Sequence, residues 1–262
     1  MFQKNYHITD YQGLPEILDQ MKALITDREK AVLFLFDENF VEERLLDMLH
    51  TIQTALPGLT VVGMTNHDRL FNHTDNNSVF TTLSLLCFDE SSFQVVLSDL
   101  ENKSAHRAAL DIVECLEESE DVKGLFMMSS GSPDHQMIMD RILRENREIA
   151  VFGATAAVKN YAMQESVSFL IVNDKLYRRA VLSVIFQGKN LHIKADEEFG
   201  WTAIGKKMTV TRADGKNLVQ EIDGSPAANI YEKYLGLRSN QISVENGVQT
   251  CALPIYQRGK CL

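Results

Sequence analysis

"AVLFLFDENFVEERLLDMLHTIQTALPGLTVVGMTN", residues 31–66, decides the architecture of this chain. The six apolar residues 31–36 form an unbroken run closed by Asp37. A run of that length and kind is a strand buried on both faces. Leucine and methionine then recur at helical spacing from Val41 to Leu56, and Pro57 and Gly58 close the pattern. A second apolar run, 59–64, passes through Gly63. Strand, helix, short connection and strand make a β-α-β unit, which implies two parallel strands.

The same alternation continues outward. "VFTTLSLLCF" and "FQVVLSDL" read as two strands joined by "DESS", expected to pair antiparallel. A helix capped by Ser104 is expected over 104–120, and a buried strand over 122–128. A helix with Ser132 as cap and Pro133 in its first turn should follow, then a strand over 148–155. From about Gln164 the pattern changes to short strand-like runs joined by "ND" and "GK" turns. "SPAANIYEKYLG" reads as a closing helix ended by Gly236. The fold class is α/β: a mixed sheet with parallel βαβ units flanked by helices, then an antiparallel β-meander and one C-terminal helix. No internal repeat is visible in the residues.

Composition narrows the function classes. The chain has 262 residues, 45% hydrophobic and 24% charged, a balance that supports a buried core. A net charge of −10 repels nucleic acid. The first residues, "MFQKNYHITDYQG", hold no apolar h-region and are not expected to act as a signal peptide, no apolar stretch reaches membrane length, and Cys87, Cys115, Cys251 and Cys261 form no C-x-x-C pair. Cys87 and Cys115 read as buried small hydrophobes, and a cytoplasmic setting is expected.

Three strands end alike: Gly63, Thr65 and Asn66 in "VVGMTN", Ser129, Ser130, Gly131 and Ser132 in "FMMSSGS", and Gly153 and Thr155 in "VFGAT". Ligands of α/β sheets bind beyond the carboxyl ends of parallel strands, where small residues admit a ligand and hydroxyls offer neutral hydrogen bonds. These nine residues are the candidate ligand contacts, although turns and caps alone would also explain them. Asp134 and His135 beside the serines suggest a nucleophile, but no G-x-S-x-G elbow exists and triads are built from distant segments. No catalytic residue is assigned. His67, Asp68 and His73 share one polar loop without metal spacing, so no metal site or cofactor is assigned.

"GWTAIGKKMTVTRADGKNLVQEIDGSPAANIYEKYLG", residues 200–236, is similar to the signature stretch of the FIST domain family. The matching positions are Gly200, Trp201, Gly205, Val210, Thr211, Asp223, Gly224, Pro226, Ala227, Tyr231, Leu235 and Gly236. "VVGMTNHD" and "VFGATAA" resemble its upstream elements, with Met64, Asn66 and His67 replacing the small residues usual after Gly63. The resemblance implies a bacterial intracellular sensory module that binds a small ligand, with amino acids or their derivatives suggested. It also implies signalling to a fused output domain such as a diguanylate cyclase, histidine kinase or PAS module, with no nucleic acid partner and no membrane insertion. A non-catalytic interaction module is the second reading and a hydrolase on the same scaffold the third. The expected divisions are a helical lead-in over 1–27, a FIST N-terminal domain over 28–198, and the truncated start of a FIST C-terminal domain over 199–246. The tail, 247–262, contains "GVQTCALPI", which resembles a translated sequencing adapter and is expected to be non-native.

Overall fold

The computed structural model describes residues 1–27, 29–38, 41–66, 81–131, 133–145, 149–156, 168–194, 205–214, 219–235, 256–257 and 260–261. The chain divides into two units, Met1–Asp196 and Glu197–Leu262. The first unit carries, in order, β1 (Phe2–Ile8), α1 (Leu14–Leu24), β2 (Ala31–Asp37), α2 (Glu42–Ala55), β3 (Thr60–Thr65), β4 (Thr81–Cys87), β5 (Ser92–Asp99), α3 (Ala105–Glu118), β6 (Val122–Ser130), α4 (His135–Glu145), β7 (Ala150–Thr155), β8 (Leu170–Val172), β9 (Lys175–Tyr177) and β10 (Ala180–Gln187). Parallel pairs sit inside mixed sheets with helices on their faces, as the β-α-β pattern requires.

The strands form two sheets, β1-β4-β2-β3-β8-β9 and β5-β10-β6-β7. Strand alternation explains how they stack. On β2, Leu33 and Leu35 face α1 and α2, packing with Leu18, Met21, Leu45 and Leu49. The intervening Val32, Phe34 and Phe36 face the second sheet, where they meet Met128, Leu182, Val184 and Phe186. Leu125, Val181 and Ile185, on the far side of the second sheet, pack against Ile112, Leu116, Ile138 and Ile142 of α3 and α4. The unit is a four-layer sandwich, helix–sheet–sheet–helix. Phe34 and Phe126 stitch its two sheets edge to face, with ring centroids 5.6 Å apart.

No repeat is legible in the residues, yet the topology repeats. The order β1-α1-β2-α2-β3-β4 builds the sheet order β1-β4-β2-β3, and β5-α3-β6-α4-β7-β10 builds β5-β10-β6-β7. In each half the middle pair is parallel (β2 with β3, β6 with β7) and the last strand enters antiparallel between the first two. Gly63 of β3 lies opposite Leu35, and Gly153 of β7 lies opposite Met127. A Cβ on Gly63 would run into the Leu35 carbonyl, and one on Gly153 into the Met127 carbonyl. Each half thus uses a glycine at the same point because the neighbouring backbone occupies the side-chain position.

Several local expectations change. β4 and β5 do not pair with each other: β1 and β2 occupy both edges of β4, so β5 is left to start the second sheet. The run "KLYRRAVLSVIFQG" is two strands, β9 and β10, which part at Arg178 and Arg179 and enter different sheets. The "ND" turn does join a hairpin, β8 to β9, and this hairpin extends the first sheet from the outer edge of β3. "NLHIKA" forms no strand over 191–194. The first 27 residues hold a strand as well as a helix, since β1 is the edge of the first sheet. Ser104 caps α3, its Oγ accepting from the Arg107 N–H at 3.2 Å. α4 starts at His135, with Asp134 accepting from the Met137 N–H at 3.0 Å as the capping side chain. Ser132 lies outside the described residues. Cys87 and Cys115 are half-buried free thiols.

The second unit contains β11 (Val210–Ala213), β12 (Val219–Ile222), β13 (Ser225–Pro226) and α5 (Ala227–Leu235), with the strands antiparallel. Asp223 and Gly224 turn β12 into β13 with φ of 48° and 75°. Gly205 has φ 76°, while Gly200, Trp201 and Gly236 lie outside the described residues. Residues 256–257 pair with 260–261 as a short antiparallel ladder. No described helix is long and apolar enough to cross a membrane.

Candidate ligand site at the strand ends

β6 ends in two serines that alternation sends in opposite directions. Ser130 shares the inward side of Phe126 and Met128 and is fully buried. Its hydroxyl donates to the Tyr177 carbonyl at 3.1 Å and accepts from the Ala180 N–H at 3.2 Å. Ser130 therefore pins the β9–β10 crossing between the sheets. Ser129 shares the helix side of Leu125 and Met127, where α4 begins. Its Oγ lies 2.6 Å from His135 Nε2 and 3.2 Å from Thr155 Oγ1. Thr155 Oγ1 is in turn 3.4 Å from His135 Nε2.

Three side chains from β6, β7 and the first turn of α4 thus converge at the carboxyl end of a parallel pair. Ser129 is the buried floor, at 2% exposure, His135 is half-buried, and Thr155 is exposed. Gly131, Gly153 and Ala154 around them are also exposed and carry no bulk. Gly131 turns the chain with φ 72°, its Cβ position filled by Arg179 Cγ at 2.6 Å. Hydroxyls and an imidazole can exchange donor and acceptor roles, so the cluster suits a polar ligand with oxygen or nitrogen at its edge.

The residues at the end of β3 have other partners. Thr65 is fully buried, and its Oγ1 accepts from the Phe169 N–H at 3.0 Å while its own N–H donates to the Phe169 carbonyl at 3.0 Å. It clamps the entry to β8. Gly63 makes room for the Leu35 carbonyl, and Asn66 is half-buried beside the β2 end, its N–H donating to the Asp37 carbonyl at 3.0 Å. Among the described residues, no hydrogen bond joins the Thr65 group to the Ser129 group. Of the candidate contacts, the structure brings together Ser129 and Thr155 and adds His135.

The equivalent corner of the first half holds a group that sequence reading used only as a strand boundary. Asp37, at 1% exposure, takes the place of Ser129. Thr81 Oγ1 donates to its Oδ1 at 2.7 Å and lies 3.4 Å from the Tyr11 hydroxyl. The Arg44 guanidinium stacks 4.8 Å from the centre of the Tyr11 ring. Burial pushes the Asp37 carboxyl up from the ordinary carboxylate range, opposed by the Thr81 hydrogen bond and the Arg44 charge. The signal available beforehand was its place: a carboxylate directly after six apolar strand residues.

Among the described residues, no group of three or more His, Cys, Asp or Glu side chains is arranged to hold a metal. The loop with His67, Asp68 and His73 lies outside them. No curated protein matches the chain. The family model for the FIST N domain matches residues 30–225, running past the boundary expected at 198. That match spans most of the chain and its whole doubled sandwich from β2 onward, so the chain belongs to the FIST family, a family of sensory signal-transduction modules.

Proposed function

We propose that this FIST domain senses a small polar metabolite at the Ser129–Thr155–His135 corner and relays its occupancy to a separate output domain. One observation carries the reading: a buried hydroxyl, an exposed hydroxyl and a half-buried imidazole meet within 3.4 Å at an open strand end. Neutral hydrogen-bonding groups on a rigid sheet edge are what a reversible sensor needs. An amino acid or short carboxylate is the favoured class, because hydroxyls and an imidazole can donate hydrogen bonds to carboxylate oxygens. Differential affinity of the ligand for two arrangements of the β6–α4 turn would set the size of the signal.

The alternative of hydrolysis has one supporting feature, the 2.6 Å contact between Ser129 and His135. Among the described residues, no carboxylate hydrogen-bonds that histidine, so the pair lacks the third member that orients a catalytic base. FIST domains are generally non-catalytic. The test is a thermal-melt panel of amino acids and carboxylates. A ligand at a hundred times its Kd should add about 2.7 kcal/mol of stability to the wild type. Ser129→Ala and His135→Ala should abolish that gain while leaving the unliganded melt close to wild type. If no member of the panel stabilises the protein, or the variants respond like wild type, the reading is wrong.

A further inference from the structure

We propose that Arg179 is the specificity determinant of the Ser129–Thr155–His135 corner: its guanidinium holds a carboxylate of the ligand against the hydroxyls and the imidazole, so the corner takes a carboxylate and rejects the matching amide. The inference rests on the sensing reading above and sharpens it, since it makes the negative charge a requirement and assigns its recognition to a residue outside the strand-end motifs.

Backbone pairing brings Arg179 to the corner. The Leu100 N–H donates to the Arg179 carbonyl at 2.7 Å, so the ladder between β5 and β10 runs one residue past the Asp99–Ala180 pair. Residues opposite one another in a ladder share a face. Leu100 packs with Ile112 and Val181 on the helix side of the sheet, so Arg179 leaves the sheet on that side too. Ser129 shares this face, and Val181 stands opposite it. Arg179 is therefore the diagonal neighbour of Ser129. Such neighbours lie about 7–8 Å apart, within reach of a long side chain. Gly131 has no side chain to stand between them, and the Arg179 stem fills the gap, with Cγ 2.6 Å from where a Gly131 Cβ would be. The side chain thus leans toward β6 and β7 and away from β5.

Two consecutive arginines mark the β9–β10 crossing, and they differ in what they meet. Arg178 stacks on the Phe169 ring, 5.4 Å from its centre. Arg179 is exposed, and among the described residues its guanidinium makes no hydrogen bond, ion pair or ring contact. The carboxylate on the intervening turn, Asp134, caps α4 through the Met137 N–H. The first half shows how such a corner is balanced: Asp37 stands in the place of Ser129, and the Arg44 charge acts on it. In the second half a serine replaces that carboxylate while a cation waits at the rim, so the anion has to come from the ligand. A guanidinium fork fits a carboxylate by two parallel hydrogen bonds, and the remaining lone pairs can accept from Thr155 and His135. One guanidinium balances one negative charge, which favours a carboxylate over a phosphate dianion.

The test is calorimetric titration of the full chain with the common L-amino acids, acetate, lactate and succinate, and with the primary amide of each. The tightest carboxylate should lose affinity about tenfold or more on conversion to its amide, and about tenfold or more in Arg179→Gln. The two losses should not add, because both remove one interaction: Arg179→Gln should bind the amide as well as wild type does. Arg179→Lys keeps the charge without the fork and should fall between. Arg144→Gln removes another exposed charge, in the last turn of α4, and should bind like wild type. Without ligand the Arg179 variants should melt close to wild type, since the side chain is exposed. Amides that bind as tightly as acids, an Arg179→Gln that binds like wild type, or one that loses acid and amide equally would each overturn the proposal and leave the sensing corner standing. An equal loss in Arg144→Gln would make the effect one of net charge and overturn it as well. Binding by none of the probes would remove the sensing reading and this inference with it.

Discussion

Replacing Asp37 by asparagine should remove a pH dependence of stability that runs against the usual direction for a carboxylate. The side chain is at 1% exposure, and burial raises its affinity for a proton in the folded state. A raised folded pKa means that the associated stability is fully present below the unfolded pKa and is lost as pH rises through the folded one. Each unit of elevation costs the folded state about 1.4 kcal/mol once the group is ionised. The Thr81 hydrogen bond at 2.7 Å and the Arg44 charge limit that cost without abolishing it. Asp37→Asn keeps an oxygen acceptor for Thr81 and carries no charge to desolvate. At pH 7 it should lie within about 1 kcal/mol of wild type, whereas Asp37→Ala, which leaves the Thr81 hydroxyl without that acceptor, should cost about 1–3 kcal/mol. Urea unfolding between pH 4 and pH 8 measures all three proteins. Wild type should gain on Asp37→Asn as pH falls. A flat difference, or a gain as pH rises, would refute the reasoning and make Asp37 an anion stabilised by Arg44.

Other outcomes follow from the same coordinates. Phe34→Ala removes a ring at 5% exposure that meets Phe126 across the sheets, and should cost about 3–5 kcal/mol by urea midpoint. Gly63→Ala and Gly153→Ala should each destabilise by about 1–3 kcal/mol, because the added methyl meets the Leu35 or Met127 carbonyl; a neutral result at either would remove the backbone approach. Burial alone would raise the Asp111 carboxyl, but hydrogen bonds from Lys103 and Ser98 and the charges of Lys103 and Arg107 hold it below the ordinary range. Its contribution is therefore present above the unfolded pKa and lost as pH falls through the folded one, so Asp111→Asn should be destabilising at pH 7 and nearly silent at pH 2–3, as read by the unfolding midpoint.

The β2–α2–β3 unit was legible because each part carries a strong local pattern: an apolar run, a helical stripe and a Pro-Gly stop. The α3 cap was legible for the same reason, since Ser104 acts on its own helix. Long-range pairing was not. β4 and β5 look like a hairpin in one dimension, and only the presence of β1 on the far edge of β4 forces them apart. The doubled topology was invisible because the halves share backbone logic more than side chains: at matched positions Leu33 and Phe34 recur as Leu125 and Phe126, and Val61, Gly63 and Thr65 as Val151, Gly153 and Thr155. At the site, the strand-end rule led to Ser129 and Thr155, while alternation sent Ser130 and Thr65 into structural clamps. His135 was visible beside the serines, but its bond to Ser129 depends on where α4 begins, two residues after the proline. Asp37 could not be recognised as a buried polar centre until Thr81, Tyr11 and Arg44 arrived from three other segments.

The most direct test of the sensing corner is residue-resolved NMR titration with the amino acid or carboxylate that gives the largest rise in melting temperature. The account predicts saturable shifts at the Thr155 and Ser129 amides and the His135 ring, with Thr65 and Asp37 unmoved. Shifts centred on Asp37, Thr81 and Tyr11 with Ser129 and Thr155 unmoved would contradict it, and would place sensing in the other half of the doubled fold.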